Sequence, residues 1–459
     1  MYGCINDDKQ ISELKSITSN GEMNEETLID VEEDPHLSDS SNISSNAALM
    51  NLIKGNIGTG ILAMPAVIKY AGIPLGMLLI ICVGALSTYL THILLRCAQT
   101  LVDKYGVDRA TLDYTETVGG VFEFGPSRLQ RYKKLMKILT NVFMIITQIG
   151  FCCAYMLFIS DNIKSFVEDH FSKKVRLEIV GAAVMGLLLC MCWIKNLKII
   201  ARVAIFANIS AILGIIMIMV YSIMGIQDFT QFPTFTPFND VLVAFGIVIF
   251  AFEAINLVLP IQNKMKYPER YVTRAGVINT AMVTVVCLYA AMGFYGFLKF
   301  GENTQGSITL NLKDAPSWLI PIQPLFVFSI LVSYLLQIYI PVFICSKLIK
   351  KLECHQNKSS LVQKIQLKII PPLIVIFSYV MAISIPHLDL MLALLGAISS
   401  SYLALILPPI INVVSRYSEN DNRDWRFKLG VLSDVLIFLF GLIGFIGGTA
   451  SSIYALIKQ

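Results

Sequence analysis

Long apolar stretches alternate with short polar loops along most of this chain. Each stretch holds about 20 mostly apolar residues, which is the length that an α-helix needs to cross a lipid bilayer. The pattern predicts an all-α polytopic membrane protein with eleven transmembrane helices, called spans 1 to 11 here: 49–69, 73–97, 136–160, 178–194, 199–224, 240–261, 274–298, 317–349, 368–385, 388–413 and 429–457.

Residues 1–46 differ from the rest in composition. They contain 11 Asp and Glu residues against 2 Lys residues, and they hold no long apolar run. Segments of this kind cannot bury enough apolar surface to fold and remain disordered. We therefore expect a disordered acidic cytosolic tail over 1–46, followed by an eleven-helix membrane domain over 47–459.

The composition of the whole chain agrees with a membrane protein. Hydrophobic residues make up 55% and charged residues only 15%, whereas soluble domains are roughly 25% charged. If the N-terminus is cytosolic, most of the 36 Lys and Arg residues fall in loops on the cytosolic side, as the positive-inside rule requires. An odd number of spans then places the C-terminus on the extracellular or luminal side.

The expected environment is the lipid bilayer of the plasma membrane or of a lysosomal or endosomal membrane. The basic loops would face the anionic lipids of the cytosolic leaflet. We predict no nucleic-acid partner, no cofactor, no metal site and no enzymatic activity.

Span 1 is a poor helix in its middle. It contains NLIKGNIGTGILAMP, with three glycines in six positions and a proline after them. Each glycine inside a helix is destabilising by about 1 kcal/mol relative to alanine. The pattern predicts an interruption formed by Gly55, Asn56, Ile57, Gly58, Thr59 and Gly60.

Span 6 contains a second anomaly. Glu253 lies among apolar residues in the middle of the span, and Asn256 and Pro260 follow it. A lone charge at the centre of a bilayer costs at least about 3 kcal/mol. This carboxyl group must be paired, face a wet cavity or take up a proton. We expect a second interruption around Phe252–Ala254.

The two interruptions occupy corresponding places in two successive groups of five spans. Helix count gives these groups opposite orientations in the membrane, and interrupted helices at matching positions of inverted repeats indicate a transporter binding site. Free N–H groups at an interrupted helix suit a carboxylate, and free carbonyl groups suit an ammonium group. One interruption can therefore hold both ends of an α-amino acid. Two simpler interpretations stay open: the glycines only allow close helix packing, and Glu253 only caps broken backbone.

Six segments, in chain order, resemble the proton-coupled amino acid transporter family within the amino acid/auxin permease group. They are LIKGNIGTGILAMPAVIKYAGIPLG, HILLRCA, FCCAYMLFISDN, FAFEAINLVLPIQNKMKYP, GSITLNL and SYLLQIYIPV. The resemblance implies a leucine-transporter-like 5+5 inverted repeat plus one extra helix. It also implies alternating access, in which small neutral amino acids move together with a proton.

These observations together give a specific site hypothesis. The substrate carboxylate binds the backbone of Gly55–Gly60 with help from Thr59, and the amino group binds carbonyls of Phe252–Ala254. The substrate side chain is bounded by Tyr155, Phe250 and Phe252, and Ala254 completes the second interruption. Glu253 carries the coupled proton.

One departure from the family pattern keeps other functions open. Asn51 stands where well-studied members of the family carry a histidine linked to proton coupling, and asparagine does not titrate. This favours a passive uniporter or exchanger as an alternative. A second alternative is an amino-acid sensor that moves little substrate and signals through its cytosolic tail.

Overall fold

The structure is a computed structural model, and it is helical throughout the part that it describes. The described residues are 43–171, 174–192, 197–228, 231–232, 234, 236–313, 315–350, 360–419 and 424–458. Nearly all of the predicted tail, 1–46, therefore lies outside them. Within these ranges, the one β-type pairing is an isolated bridge between Ile43 and Met265.

Seventeen α-helices in the described ranges are numbered here in chain order. They are α1 Ser45–Asn56, α2 Thr59–Leu62, α3 Met64–Ala71, α4 Ile73–Tyr105, α5 Tyr114–Glu123, α6 Ser127–Gln130, α7 Lys133–Phe171, α8 Leu177–Met191, α9 Leu197–Ile223, α10 Phe238–Ala251, α11 Ile255–Asn263, α12 Val277–Phe300, α13 Ile322–Lys350, α14 Ser360–Ser384, α15 Leu388–Leu395, α16 Leu407–Glu419 and α17 Trp425–Lys458. A π-helical segment, Gly396–Ile406, joins α15 to α16.

Nine helical stretches in the described part are long and apolar enough to cross a membrane. They coincide with nine of the predicted spans, so the prediction of a polytopic helical membrane protein is confirmed. The other two predicted spans have a different form. Span 4 corresponds to α8, which has only 15 residues, and span 1 is divided among the short helices α1, α2 and α3.

The interruption of span 1 lies where the glycines predicted it. Helix α1 ends at Asn56, and Ile57 is extended. Gly58 has φ −132° and ψ −142°, and α2 begins at the next residue, Thr59. The prediction of a broken helix is confirmed, although the non-helical part is shorter than the predicted 55–60.

Span 6 is interrupted in the same way. Helix α10 ends at Ala251 and α11 begins at Ile255, so the three residues between them are non-helical. These residues are Phe252, Glu253 and Ala254, as predicted. A buried polar residue inside an apolar run therefore located the break correctly.

The tenth span has an irregularity of another kind. Its π-helical segment is 11 residues long, whereas most π-helices are single turns, frequently at functional sites. At its start the backbone nearly touches α10: a Cβ added to Gly396 would lie 1.9 Å from the carbonyl oxygen of Gly246. Only glycine permits this approach, because any side chain would separate the two helices.

Helix α17 is joined to α16 by a buried polar cluster. Both carboxyl oxygens of Asp434 accept 2.9 Å hydrogen bonds from the Asn412 amide. The Arg416 Nε lies 3.4 Å from the same carboxylate. Asp434 is 1% exposed, and its charge is therefore compensated inside the protein.

Candidate functional site

Two of the three glycines of the first interruption allow close helix packing. A Cβ on Gly60 would lie 2.7 Å from the Cβ and 2.9 Å from the Cα of Ala251. A Cβ on Gly55 would lie 2.6 Å from Leu257 Cδ1. Their small size therefore brings span 1 against the two halves of span 6. These contacts correspond to the simpler interpretation of the glycines.

Gly58 has different surroundings. The nearest atom to an added Cβ would be the Tyr155 hydroxyl, at 3.3 Å. The structure thus brings together two residues that were predicted separately as site residues. Since the neighbour is a polar atom of a side chain from α7, the space beside Gly58 has a polar boundary.

Polar atoms at the first interruption lack protein partners among the described residues. The Asn56 amide donates a 2.9 Å hydrogen bond to the Leu52 carbonyl, but its Oδ1 has no partner. The Thr59 hydroxyl also has none. Both residues are buried, and buried polar atoms without partners are rare in proteins. This end of the site is therefore able to bind a polar ligand.

Tyr289 of α12 connects the two interruptions, and the sequence analysis did not identify it. Its hydroxyl lies 2.5 Å from the Asn56 carbonyl and 3.0 Å from the Ala251 carbonyl. A hydroxyl has one proton, so it can fully satisfy only one of these acceptors at a time. Carbonyl groups from both broken helices therefore converge within one hydrogen-bond length of a single point.

The predicted aromatic residues divide into two groups. Phe250 packs on Phe151 at 4.7 Å between ring centroids, and Phe151 lies 6.1 Å from Tyr155. Phe252 instead packs on Tyr289 at 5.0 Å, and its ring lies 2.9 Å from the position of a Cβ on Gly84. Tyr155 and Phe250 thus belong to one aromatic cluster, and Phe252 does not.

Glu253 faces span 10. It is 5% exposed, and its Oε1 accepts one long hydrogen bond of 3.4 Å from the Asn256 amide. The Ser400 hydroxyl of the π-helical segment is its other polar neighbour. In the described structure neither Glu253 Oε2 nor Ser400 Oγ has a partner of good hydrogen-bond geometry. The carboxyl group is therefore buried and incompletely bonded.

The π-helical segment contributes three consecutive fully buried serines, which the sequence analysis also missed: Ser399, Ser400 and Ser401. The run ISSSYL in the middle of span 10 was the available signal, because polar residues at that depth are uncommon. Nothing comparable marked Tyr289, since an aromatic residue in a membrane helix usually only packs. Across the described residues, no group of three His, Cys, Asp or Glu side chains could hold a metal ion.

Comparison with known families identifies the chain. Residues 41–454 match the family described as transmembrane amino acid transporter protein. The chain belongs to this family. The match spans both interruptions and the π-helical segment, so all of the site described above lies within the family region.

Two relatives agree with this assignment. The proton-coupled amino acid transporter-like protein pathetic of Drosophila melanogaster is 25% identical over 417 residues, covering 90% of this chain and 86% of that protein. The probable amino acid transporter skat-1 of Caenorhabditis elegans is 25% identical over 432 residues, covering 91% of each chain. The resemblance to amino acid transporters read from the sequence is thus confirmed.

A solved structure shows the same fold. Mhp1, a nucleobase–cation symport family transporter in a closed conformation with bromovinylhydantoin bound, aligns with a TM-score of 0.50 and 12% identity. The alignment covers 93% of this chain and 94% of Mhp1. The chain therefore has a transporter fold, and at this identity the likeness concerns the fold alone.

Proposed function

We propose that this protein moves small neutral amino acids across a membrane by alternating access, and that it couples their movement to protons. The substrate lies between the interruptions of spans 1 and 6. The convergence of the Asn56 and Ala251 carbonyls at Tyr289 carries this proposal. Each of these carbonyl oxygens has a second lone pair beyond its contact with the Tyr289 hydroxyl. A substrate ammonium group needs several such acceptors, and these two come from different broken helices.

The carboxylate end of the substrate is assigned to Gly58 and Thr59. Gly58 precedes the first turn of α2 and provides no side-chain cap. Backbone N–H groups at the start of a helix favour an anion. The Thr59 hydroxyl, buried and without a partner in the described structure, adds a neutral donor.

The aromatic cluster of Phe151, Tyr155 and Phe250 bounds the substrate side chain. Three rings around this position would restrict the substrate side chain to a small one, and they offer no charged group to bind a charged side chain. The preference for small neutral substrates rests on these contacts. Gly58 and the Tyr155 hydroxyl form the nearest wall.

Glu253 is the proposed proton carrier. Its neutral form suits a buried position with an incompletely bonded oxygen, whereas its carboxylate would be expensive there. Substrate binds one protonation state better than the other, and a proton gradient then biases the two transport states through this difference in affinity.

The proposed topology has eleven spans. Helices α1 to α3 together form span 1 and α8 forms span 4. Spans 1–5 and 6–10 form the two inverted repeats, and α17 is the extra helix. The N-terminus is cytosolic and the C-terminus extracellular or luminal, in the plasma membrane or in a lysosomal or endosomal membrane.

Uptake into proteoliposomes tests the proposal. The wild-type protein should accumulate a radiolabelled small neutral amino acid when the outside is more acidic than the inside. Glu253→Gln copies the shape of the protonated side chain, so it should still exchange internal for external substrate but lose gradient-driven accumulation. Unchanged accumulation in this variant would place the proton elsewhere.

A matched pair of glycine variants tests the substrate site. Gly58→Val puts carbon into the space beside Tyr155 and should abolish substrate binding in protein that reaches the membrane. Gly186 is the control, because a Cβ there meets no atom within 4 Å. Gly186→Val should bind substrate normally. Equal affinity in the two variants would contradict the assignment of Gly58.

The uniporter or exchanger alternative has one observation in its favour. Asn51 occupies the family's histidine position in α1 and is exposed, so that position cannot carry a proton. A uniporter would equilibrate substrate without accumulation and would transport equally well from about pH 5 to 8. Saturable binding without flux would instead support the sensor.

A further inference from the structure

Tyr289 lies at the point where two broken helices end. Asn56 is the last residue of α1, and Ala251 is the last residue of α10. The final carbonyl groups of a helix have no partner within that helix. The Tyr289 hydroxyl lies 2.5 Å from the Asn56 oxygen and 3.0 Å from the Ala251 oxygen, and among the described residues it is the one donor that reaches them. A single side chain therefore caps both helix ends.

Both helices direct their negative ends at this hydroxyl. The C-terminus of an α-helix carries about half a negative charge, and two such ends meet at Tyr289. A cation therefore suits this place better than a neutral group. The hydroxyl is neutral and has a single proton, whereas an ammonium group has three N–H donors. Tyr289 is thus a weaker substitute for the amino group of a substrate.

Packing holds Tyr289 in this position. Its side chain is fully buried, and its ring packs on the Phe252 ring at 5.0 Å between centroids. The Phe252 ring is itself confined, because it lies 2.9 Å from the place of a Cβ on Gly84. One turn further along α12, a Cβ on Gly293 would lie 3.2 Å from the Met64 carbonyl oxygen, so α12 also lies directly against α3. Contacts on both sides therefore keep the hydroxyl at the interruptions.

The two interrupted spans contact each other beside this hydroxyl. A Cβ on Gly60 would lie 2.9 Å from the Cα of Ala251, the residue whose carbonyl faces Tyr289. Burying carbonyl groups without a donor is costly. When the protein closes around substrate, the ammonium group is such a donor. When it closes without substrate, another donor is needed, and the Tyr289 hydroxyl is in the place to provide it.

Exchange and net uptake differ in this requirement. In exchange, the protein carries substrate in both directions. Net uptake also includes a return step in which the protein changes its access without substrate. The rate of that step depends on how readily the site closes when no ammonium group is bound, because the closed form must be populated for access to change.

We propose that Tyr289 allows the protein to close and return without substrate, because its hydroxyl replaces one N–H donor of the substrate at the Asn56 and Ala251 carbonyls. The inference rests on the proposed function, in which the ammonium group binds these carbonyls. When substrate is bound, its N–H groups donate to the remaining lone pairs of both oxygens, and the hydroxyl is no longer essential. Tyr289 is a positioning residue for the return step.

The test compares two buried tyrosines. Tyr289→Phe removes the hydroxyl and keeps the ring. Tyr334→Phe is the matched control, because Tyr334 is also fully buried and its hydroxyl bonds Ser378 at 2.7 Å, which joins two helices that contain neither interruption. Uptake of a radiolabelled small neutral amino acid is measured in proteoliposomes. Vesicles without internal substrate report net uptake, and vesicles preloaded with the same amino acid report exchange.

We expect Tyr289→Phe to lower the ratio of net uptake to exchange about tenfold, because a buried hydrogen bond is lost where only the return step needs it. Exchange at saturating substrate should stay within about twofold of the wild type, and its KM should not rise. Tyr334→Phe should leave the ratio unchanged.

A second variant and a second measurement support this test. Phe252→Leu keeps the hydroxyl but removes the ring that holds it, so it should lower the same ratio by a smaller factor even if Tyr289→Phe does not reach the membrane. Thermal unfolding in detergent is measured with and without substrate. Substrate supplies the donors that Tyr289→Phe lacks, so it should raise the unfolding midpoint of this variant more than that of the wild type or of Tyr334→Phe.

Two results would overturn this role. Parallel loss of exchange and net uptake in Tyr289→Phe, with a raised KM, would mean that the hydroxyl serves substrate binding. An unchanged ratio in both Tyr289→Phe and Phe252→Leu would mean that the return step needs no donor at these carbonyls. Failure of the proposed function is distinguishable, because the wild type itself would then show no saturable uptake in either assay or would exchange substrate without net uptake.

Discussion

The helical bundle contains two buried acidic side chains with contrasting surroundings. Asp434 has two 2.9 Å hydrogen bonds from Asn412 and an arginine at 3.4 Å. Glu253 has one long bond of 3.4 Å and an oxygen without a partner in the described structure. Both side chains are buried, but of the two only Asp434 has hydrogen bonds and a nearby positive charge that compensate its own charge.

This difference in bonding distinguishes a carboxylate with a structural role from a carboxyl group with a functional role. A compensated carboxylate holds its proton state and its neighbours in place, and removing it leaves a buried charge without a partner. A buried and incompletely bonded carboxyl group favours its neutral state, so a change in its surroundings that brings in water or a hydrogen-bond donor can release the proton. We infer that Asp434 fixes α17 against α16, whereas Glu253 is free to change.

The largest effect should follow from Asp434→Ala. The variant leaves Arg416 without its counter-charge, which should destabilise the fold by about 3–5 kcal/mol. Thermal unfolding in detergent measures this as a large fall in the midpoint. Glu302→Ala is the control, since Glu302 is exposed. A similar midpoint in both variants would remove Asp434 from the structural side of the comparison.

Two glycines of span 1 also have contrasting surroundings: Gly60 is packed against backbone, and Gly58 faces a side-chain hydroxyl. Gly60→Ala forces a methyl group against the Ala251 backbone and should cost about 2–3 kcal/mol, as overpacking does. Gly58→Ala meets only the Tyr155 hydroxyl and should retain most of its stability while weakening substrate binding. Thermal unfolding and substrate binding are measured on both. If Gly58→Ala proves the less stable variant, the first interruption is a packing device.

Asp389 is an intermediate case, with one strong partner. The Tyr70 hydroxyl at the end of α3 donates a 2.6 Å hydrogen bond to Asp389 in the first turn of α15. Tyr70→Phe should reduce stability by about 1.5 kcal/mol, the lower end for a bond to a charged group, because the site is partly solvated. Unfolding of Tyr70→Phe beside Tyr89→Phe, an exposed tyrosine, gives the comparison. Equal midpoints would show that this bond adds nothing to the fold.

The smallest effect on stability should come from Glu253→Gln. The side chain has little bonding to lose, so we expect the unfolding midpoint to change by less than the equivalent of about 1 kcal/mol. Transport coupling should nevertheless be lost. A destabilisation as large as that of Asp434→Ala would mean that Glu253 is a structural cap. The two carboxyl groups would then have the same role.

Local signals made the two interruptions predictable. Clustered glycines and a carboxylate inside apolar runs are anomalies within a few residues, and both marked the break to within about three residues. The same signals did not distinguish the glycines from one another. Gly60 packs on Ala251 and Gly58 faces Tyr155, and such partners are far away in the sequence.

Long-range pairings account for what the sequence left hidden. The hydroxyl of Tyr114 reaches a carbonyl 289 residues later, and that of Tyr289 reaches one 38 residues earlier. Neither tyrosine interrupts a pattern, because an aromatic residue fits a membrane helix or an amphipathic helix equally well. The serines of the π-helical segment mark it as unusual, but its other residues do not distinguish a π-helix from an α-helix.

The backbone contact between Gly246 and Gly396 has a mechanical consequence. No side chain separates the two helices there, so this contact would be the pivot if one helix tilted against the other. If span 10 tilts about this point by about 10°, Ser400, which is four residues and therefore at most about 6 Å along the axis, is displaced by about 1 Å or less. The far end of α16, at most about 35 Å away, moves by up to about 6 Å. The contact between Ser400 and Glu253 would therefore move little during such a tilt, whereas the far end of α16 would move several times as far.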